Sequence, residues 1–181
     1  MTDRVRFSKF LSLVLRHRPE LIGLELDEEG WADVAAVLAG ARRKGLALDA
    51  DGLAEVVATC EKQRYAFSED GLRIRANQGH SVNIDLALEA VKPPASLFHG
   101  TVGRFVPSIR QHGLQKRGRR HVHLSRDEEI AAAVGRRRGA AVILVIDAAR
   151  MHAAGHTFYC AMNGVWLVDS VPPEFISGLP E

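Results

Sequence analysis

Cysteine is scarce in this chain. Cys60 and Cys160 stand far apart and outside any metal-ligand or redox spacing, so two free thiols are expected rather than a disulfide scaffold. Long apolar runs are missing too. The longest, Ala140 to Ile146, stops at Asp147, far short of the ~20 residues that cross a bilayer. The start, Met1-Thr2-Asp3-Arg4, has no apolar segment behind a basic one, so no secretory signal is expected. Internal repeats and low-complexity tracts are absent. What remains, 46% hydrophobic and 25% charged over 181 residues, is ordinary globular composition, enough for one good core or two small ones. A cytoplasmic monomer with no membrane association is the expectation.

Acid is lacking from one long stretch. Residues 1–93 carry 13 Lys/Arg against 15 Asp/Glu, whereas residues 94–181 carry 11 against 7. Within that second part Arg104, Arg110, Lys116, Arg117, Arg119, Arg120 and Arg126 follow one another without an acid between them. Clustered cations repel unless a polyanion rewards them, so the pattern favours a phosphate-bearing ligand; a solvated basic loop is the plainer alternative.

Periodicity gives a coarse map. Phe7, Phe10, Leu11, Val14 and Leu15 take the three-and-four spacing of an amphipathic helix that Pro19 must end, leaving Arg16 and His17 at its C-terminal end. Asp33 is placed to cap a short helix through Leu38, and Asp51 to open another through Glu61. Residues 64–68 and 72–75 alternate around Glu69-Asp70-Gly71, the pattern of a β-hairpin. Helices followed by a hairpin predict a small winged-helix domain over residues 1–92. Lys92-Pro93-Pro94 predicts a stiff connector at 91–95. Beyond it, strands are expected at 96–99, 122–124, 142–146 and 165–168, with a helix over 127–134, so residues 95–181 form an α+β domain.

Four segments carry candidate chemistry. Arg16-His17-Arg18 ends the first helix, where basic side chains are also favoured simply by the helix dipole. Asn77-Gln78-Gly79-His80-Ser81 gathers amide, imidazole and hydroxyl groups able to meet phosphate or ribose, or to satisfy one another. His99-Gly100-Thr101 follows Leu97-Phe98, so a strand delivers an imidazole to its end and the glycine admits a ligand to the backbone. Strand alternation sends Arg119, His121 and His123 to one face and Arg120, Val122 and Leu124 to the other. No third ligand stands near the two histidines, so no metal is expected.

In order along the chain, Phe7-Ser8-Lys9-Phe10-Leu11-Ser12, Leu15-Arg16-His17, Gly30-Trp31, Arg64-Tyr65, Ile74-Arg75-Ala76-Asn77-Gln78-Gly79-His80-Ser81, Phe98-His99-Gly100-Thr101, His121-Val122-His123-Leu124-Ser125, Asn163-Gly164-Val165-Trp166-Leu167 and Val171-Pro172-Pro173 resemble the RNA 2′-phosphotransferase family over nearly the whole sequence. The resemblance implies an N-terminal winged-helix lobe, a C-terminal ADP-ribosyltransferase-like lobe and an active site between them. It matches the family's essential Arg-His pair to Arg16 and His17, its second arginine to Arg64 and its third to Arg119, with Arg120 as the competing assignment. It implies an NAD⁺ pocket that includes His99, Gly100, Thr101, His123 and Ser125; from their own polar and cationic chemistry Gln78, His80, Ser81, Arg117 and Arg120 are expected to contact RNA or its phosphate. One departure stands out: where members often carry methionine before the Arg-x-His-Val-His motif, this chain has Arg117.

The implied reaction has two steps. The 2′-phosphate of RNA displaces nicotinamide from NAD⁺, and the ribose 2-hydroxyl then takes the phosphoryl group, releasing 2′-hydroxyl RNA and ADP-ribose 1″,2″-cyclic phosphate. NAD⁺ is consumed, RNA with an internal 2′-phosphate is the partner, and no metal takes part. An RNA-binding module without catalysis and a transferase that stops after the first step are the rival readings.

Overall fold

The structure, a computed structural model, describes residues 3–84 and 86–180. The chain divides into two compact units, Met1–Ala87 and Leu88–Glu181. The division falls ahead of the predicted connector, because the residues before the prolines are already tied to the second unit: Ala90 bridges Tyr159, and the Val91 N–H donates to the Phe158 carbonyl at 2.9 Å. No helix among the described residues is long and apolar enough to cross a membrane.

In the first unit, α1 (Asp3–Arg16) buries Leu11, Val14 and Leu15 along its predicted stripe. Pro19 stops it and opens a short 3-10 turn, Pro19–Ile22. β1 (Ala32–Asp33), too short for alternation to reveal, leads into α2 (Val34–Arg43). Asp33 caps that helix as predicted, its Oδ1 accepting from the Ala36 N–H at 2.8 Å. α3 (Ala50–Ala58) departs from the prediction at both ends. Its cap is Asp49 rather than Asp51, with Oδ1 accepting from the Gly52 N–H at 2.9 Å.

The hairpin forms as predicted. β2 (Tyr65–Phe67) pairs antiparallel with β3 (Arg73–Ala76) in the register Tyr65↔Ala76. Gly71 takes φ +71° in its turn, a conformation that favours glycine. β1 adds to the other edge of β3, giving the order β1-β3-β2. Helices and sheet meet over Leu11, Leu15, Val37, Leu53 and Ile74, each fully buried; each such side chain stabilises the unit by about 1.5–3 kcal/mol relative to exposure.

The second unit is built on β4 (Ser96–Val102), α4 (Val106–His112), β5 (Leu114–Gln115), β6 (Val122–Leu124), α5 (Glu128–Gly135), β7 (Ala141–Asp147), α6 (Ala148–Ala153), β8 (Tyr159–Cys160), β9 (Trp166–Val168), β10 (Ser170–Val171) and β11 (Ile176–Ser177). The longest apolar run becomes β7, between β4 and β11. A second sheet has the order β6-β9-β8. Reciprocal bonds between Phe98 and Ser125, at 2.8 and 2.9 Å, link β4 to the end of β6. Leu97, Leu144, Ile146, Met151 and Phe158 form the fully buried centre. The class is α+β, as expected.

Candidate functional site

Within the first unit the fold brings together segments far apart in sequence. Arg16, 8% exposed at the end of α1, donates from Nη2 to the Arg64 carbonyl at 3.4 Å and lies over the Tyr65 ring at 5.9 Å. Its own carbonyl accepts from the Ser81 N–H at 2.9 Å. The exposed His17 has its Nδ1 2.9 Å from Ser81 Oγ. Gly79, at φ +88°, lets the 77–81 loop turn against the Arg16 guanidinium: a Cβ there would lie 3.5 Å from its Nη1. Arg16, His17, Arg64 and Ser81 thus share one framework. Arg64 is held at its backbone by the Asn77 N–H, 2.8 Å from its carbonyl.

His80 takes a different place from the one its motif suggests. It is 2% exposed and packs beneath Gly30, whose Cβ would sit 3.4 Å from its Nε2, so it supports the loop from inside. Gln78 is half-buried on the same loop. Tyr65, which sequence reasoning treated only as part of a motif, is the floor under Arg16: its hydroxyl donates to the Ser8 carbonyl at 2.7 Å. Burial raises its pKa above the usual tyrosine range, against the lowering pull of that bond and of Arg16 and Arg64.

In the second unit β4 runs past its predicted end. His99, Gly100 and Thr101 therefore sit mid-strand, paired with Leu144, Ile143 and Val142 of β7. Gly100 has a structural duty that the motif did not disclose. A Cβ there would lie 1.8 Å from the Ala131 carbonyl oxygen of α5, so the close approach it permits is that of a helix. Thr101 is buried.

His99 Nδ1 lies 3.0 Å from the His123 carbonyl, which can only accept, so the proton is on Nδ1 and Nε2 carries the lone pair. Burial lowers the His99 pKa; the His123 carbonyl opposes this in part, and the charges of Arg119 and Arg138 reinforce it. Ser125 Oγ accepts from the Asp127 N–H at 3.1 Å.

The alternation proposed for 119–124 holds only for 122–124. Val122 and Leu124 are buried and His123 faces the other way, but Arg119 lies in the preceding turn, its N–H donating to the Lys116 carbonyl at 3.1 Å. Burial and the neighbouring Arg138 both lower the Arg119 pKa. Arg120 is exposed in the same segment. His121 meets the Tyr159 ring edge-on at 5.6 Å. Arg138 is a cation that sequence reasoning missed; in the run 136–138 nothing distinguished it from a solvated face.

The acid-free stretch is partly tied down. Arg104 and Arg117 lie over the Phe105 ring at 5.0 and 5.7 Å, Lys116 pairs with Asp169, and Arg110 donates to the Pro180 carbonyl. No group of His, Cys, Asp or Glu side chains suited to hold a metal occurs among the described residues.

Comparison with known proteins agrees with the motif order. The family model described as RNA 2'-phosphotransferase, Tpt1 / KptA family, matches residues 2–170. A protein of Rhodopirellula baltica named "Probable RNA 2'-phosphotransferase" is 56% identical over 174 residues, covering 96% of this chain and 95% of its own. One of the same name from Burkholderia lata is 53% identical over 180 residues, covering 99% and 93% respectively. Another, from Flavobacterium johnsoniae, is 52% identical over 169 residues, covering 93% of each.

Proposed function

Because the chain belongs to the RNA 2'-phosphotransferase, Tpt1 / KptA family, we propose that it transfers an internal 2′-phosphate of RNA to NAD⁺. The products are 2′-hydroxyl RNA, nicotinamide and ADP-ribose 1″,2″-cyclic phosphate, formed through an ADP-ribosylated 2′-phospho-RNA. The observation that carries this reading is the joining of Arg16, His17, Arg64 and Ser81 on one framework by backbone and side-chain bonds. In this reading the first unit is a winged-helix lobe and the second an ADP-ribosyltransferase-like lobe. Two free thiols fit a reducing cytoplasm.

In the first step an oxygen of the 2′-phosphate forms a bond to the anomeric carbon of the nicotinamide ribose, and the C–N bond breaks with its electron pair leaving on nicotinamide. The nucleophile is already anionic, so the protein has to hold and aim it. Planar guanidinium groups such as those of Arg16 and Arg64 grip phosphate through paired donors where a lysine would offer a point charge, and Arg119 is assigned the third arginine's role from its match to the family motif alone. The residues proposed to hold NAD⁺ suit a hydroxyl-rich ligand: the His99 Nε2 lone pair accepts from a hydroxyl, while Ser125 and the backbone of residues 99–101 supply further polar groups. His123 stands beside them.

In the second step the ribose 2-hydroxyl attacks phosphorus, loses its proton, and the RNA 2′-oxygen leaves and gains one. His17, exposed and bonded to Ser81, is assigned that proton transfer, since imidazole changes charge near neutral pH. Arg64 is assigned to stabilise charge on the phosphoryl oxygens, a well-placed donor lowering the barrier by about 2.7–4 kcal/mol, and the motif match assigns Arg119 the same kind of role. Gln78, Arg117 and Arg120 are assigned to the RNA chain, and His80 to the support of its loop.

The test is release of free nicotinamide. It is expected only when NAD⁺ and a 2′-phosphorylated oligonucleotide are both present, and to vanish in Arg64→Ala with the fold retained by circular dichroism. Tight RNA binding without nicotinamide release would make the protein a binding module instead.

A further inference from the structure

Asn77 is only 7% exposed, yet the reaction gives it no task. Its Nδ2 donates to the Gln63 carbonyl at 2.5 Å and its backbone N–H to the Arg64 carbonyl at 2.8 Å. Its Oδ1 is buried with no hydrogen-bond partner among the described residues. A carbonyl can only accept, so the amide nitrogen must face Gln63. Keeping a buried amide with its oxygen unsatisfied costs free energy, and the bond to Gln63 therefore needs a reason.

The backbone supplies one. Gln63 has φ 41°, in the left-handed region that side chains with a Cβ avoid. That conformation closes the turn after α3, where the Gln63 N–H donates to the Cys60 carbonyl at 2.7 Å and the Arg64 N–H to Cys60 Sγ at 3.5 Å. The turn sets the direction in which the chain enters β2 with Arg64 at its mouth. The Arg64 carbonyl that Asn77 holds is also the one Arg16 Nη2 reaches at 3.4 Å. One buried side chain and its own N–H thus span two successive carbonyls, and the second of these is shared with the other arginine.

We propose that Asn77 is a positioning residue: by clamping the left-handed Gln63 and the Arg64 carbonyl, it sets the aim of the Arg64 guanidinium and its spacing from Arg16. This rests on the reading of those arginines as the grip on the 2′-phosphate. Strain held at a non-glycine residue beside a proposed site is where such a clamp is needed.

The experiment measures Kd, without NAD⁺, for an oligonucleotide carrying one internal 2′-phosphate and for its 2′-hydroxyl twin. The ratio of the two cancels any loss of folded protein, because both ligands meet the same folded fraction. Asn77→Ala is expected to lower the ratio about tenfold, the scale of misdirecting one charged donor. Adding Gln63→Gly is expected to recover much of it, since glycine takes the left-handed conformation without a clamp. A ratio in Asn77→Ala within about twofold of the wild type would overturn the assignment. So would a loss that Gln63→Gly leaves unrepaired, because Asn77 would then act on RNA directly. A wild-type ratio of one sinks the phosphate-grip reading itself, and the positioning role falls with it.

Discussion

Replacing Gly100 with alanine separates two duties that a His-Gly-Thr motif confounds. The added Cβ would lie 1.8 Å from the Ala131 carbonyl oxygen, 2.6 Å from its carbon and 3.0 Å from the Gly135 nitrogen. All three are backbone atoms of α5, so no side-chain rotation relieves the overlap and the helix must move off β4. Overpacking of an ordinary core costs about 1–3 kcal/mol, and a collision with main chain belongs at or above the top of that range, about 3 kcal/mol or more. With a urea slope of about 1–3 kcal/mol/M, the midpoint should fall by roughly 1–3 M. The assay is urea unfolding followed by Trp166 fluorescence in a Trp31→Phe background, which reports the second unit because the chain has only two tryptophans. Gly103→Ala is the control: its Cβ would meet nothing within 4 Å, and it should stay within about 0.5 kcal/mol of the parent. If Gly100→Ala kept its midpoint and lost only affinity for NAD⁺, the glycine would serve the ligand and the packing argument would be refuted.

Three further expectations follow from particular bonds. Asp49→Ala should cost about 1 kcal/mol of stability while Asp51→Ala costs a few tenths, since only the former removes the cap bond; equal losses by urea titration would contradict the cap assignment. Burial holds the His99 pKa below the ordinary histidine value of about 6.5, so the unfolded chain takes up the proton first and the stability His99 contributes, full above that value, is lost as pH falls toward the folded pKa. Relative to His99→Gln, the wild type should therefore weaken between pH 7.5 and 5 on the scale set by that reference pKa, and parallel midpoints would refute the burial argument. In rapid-quench kinetics His17→Ala should slow the second step far more than the first; equal slowing would remove the proton-transfer role.

Much of this was legible where local rules act alone. The stripe of α1, the Asp33 cap, the hairpin around Gly71 and the apolar run that becomes β7 depend on neighbours in sequence, and they form as read. What escaped depends on tertiary partners. β1 and β5 are two residues long and exist because other strands offer them bonds. Asp49 and Asp51 are equally good caps in sequence, and only the chain's entry path distinguishes them.

Within the site, motif order pointed to Arg16, His17, Arg64 and Ser81, which the fold joins. It could not tell that His80 turns inward, that Gly100 admits a helix, or that Arg119 precedes the strand instead of sharing its alternation. Those facts are set by how close a second element comes, a distance no single segment encodes.

The most direct measurement follows the phosphorus atom. With ³²P placed only in the 2′-phosphate of an internal nucleotide, incubation with NAD⁺ should move the label out of RNA and into ADP-ribose 1″,2″-cyclic phosphate, with one nicotinamide released per label transferred. Label that stays with RNA, as an ADP-ribosylated end product or as unchanged 2′-phosphate, would contradict the account.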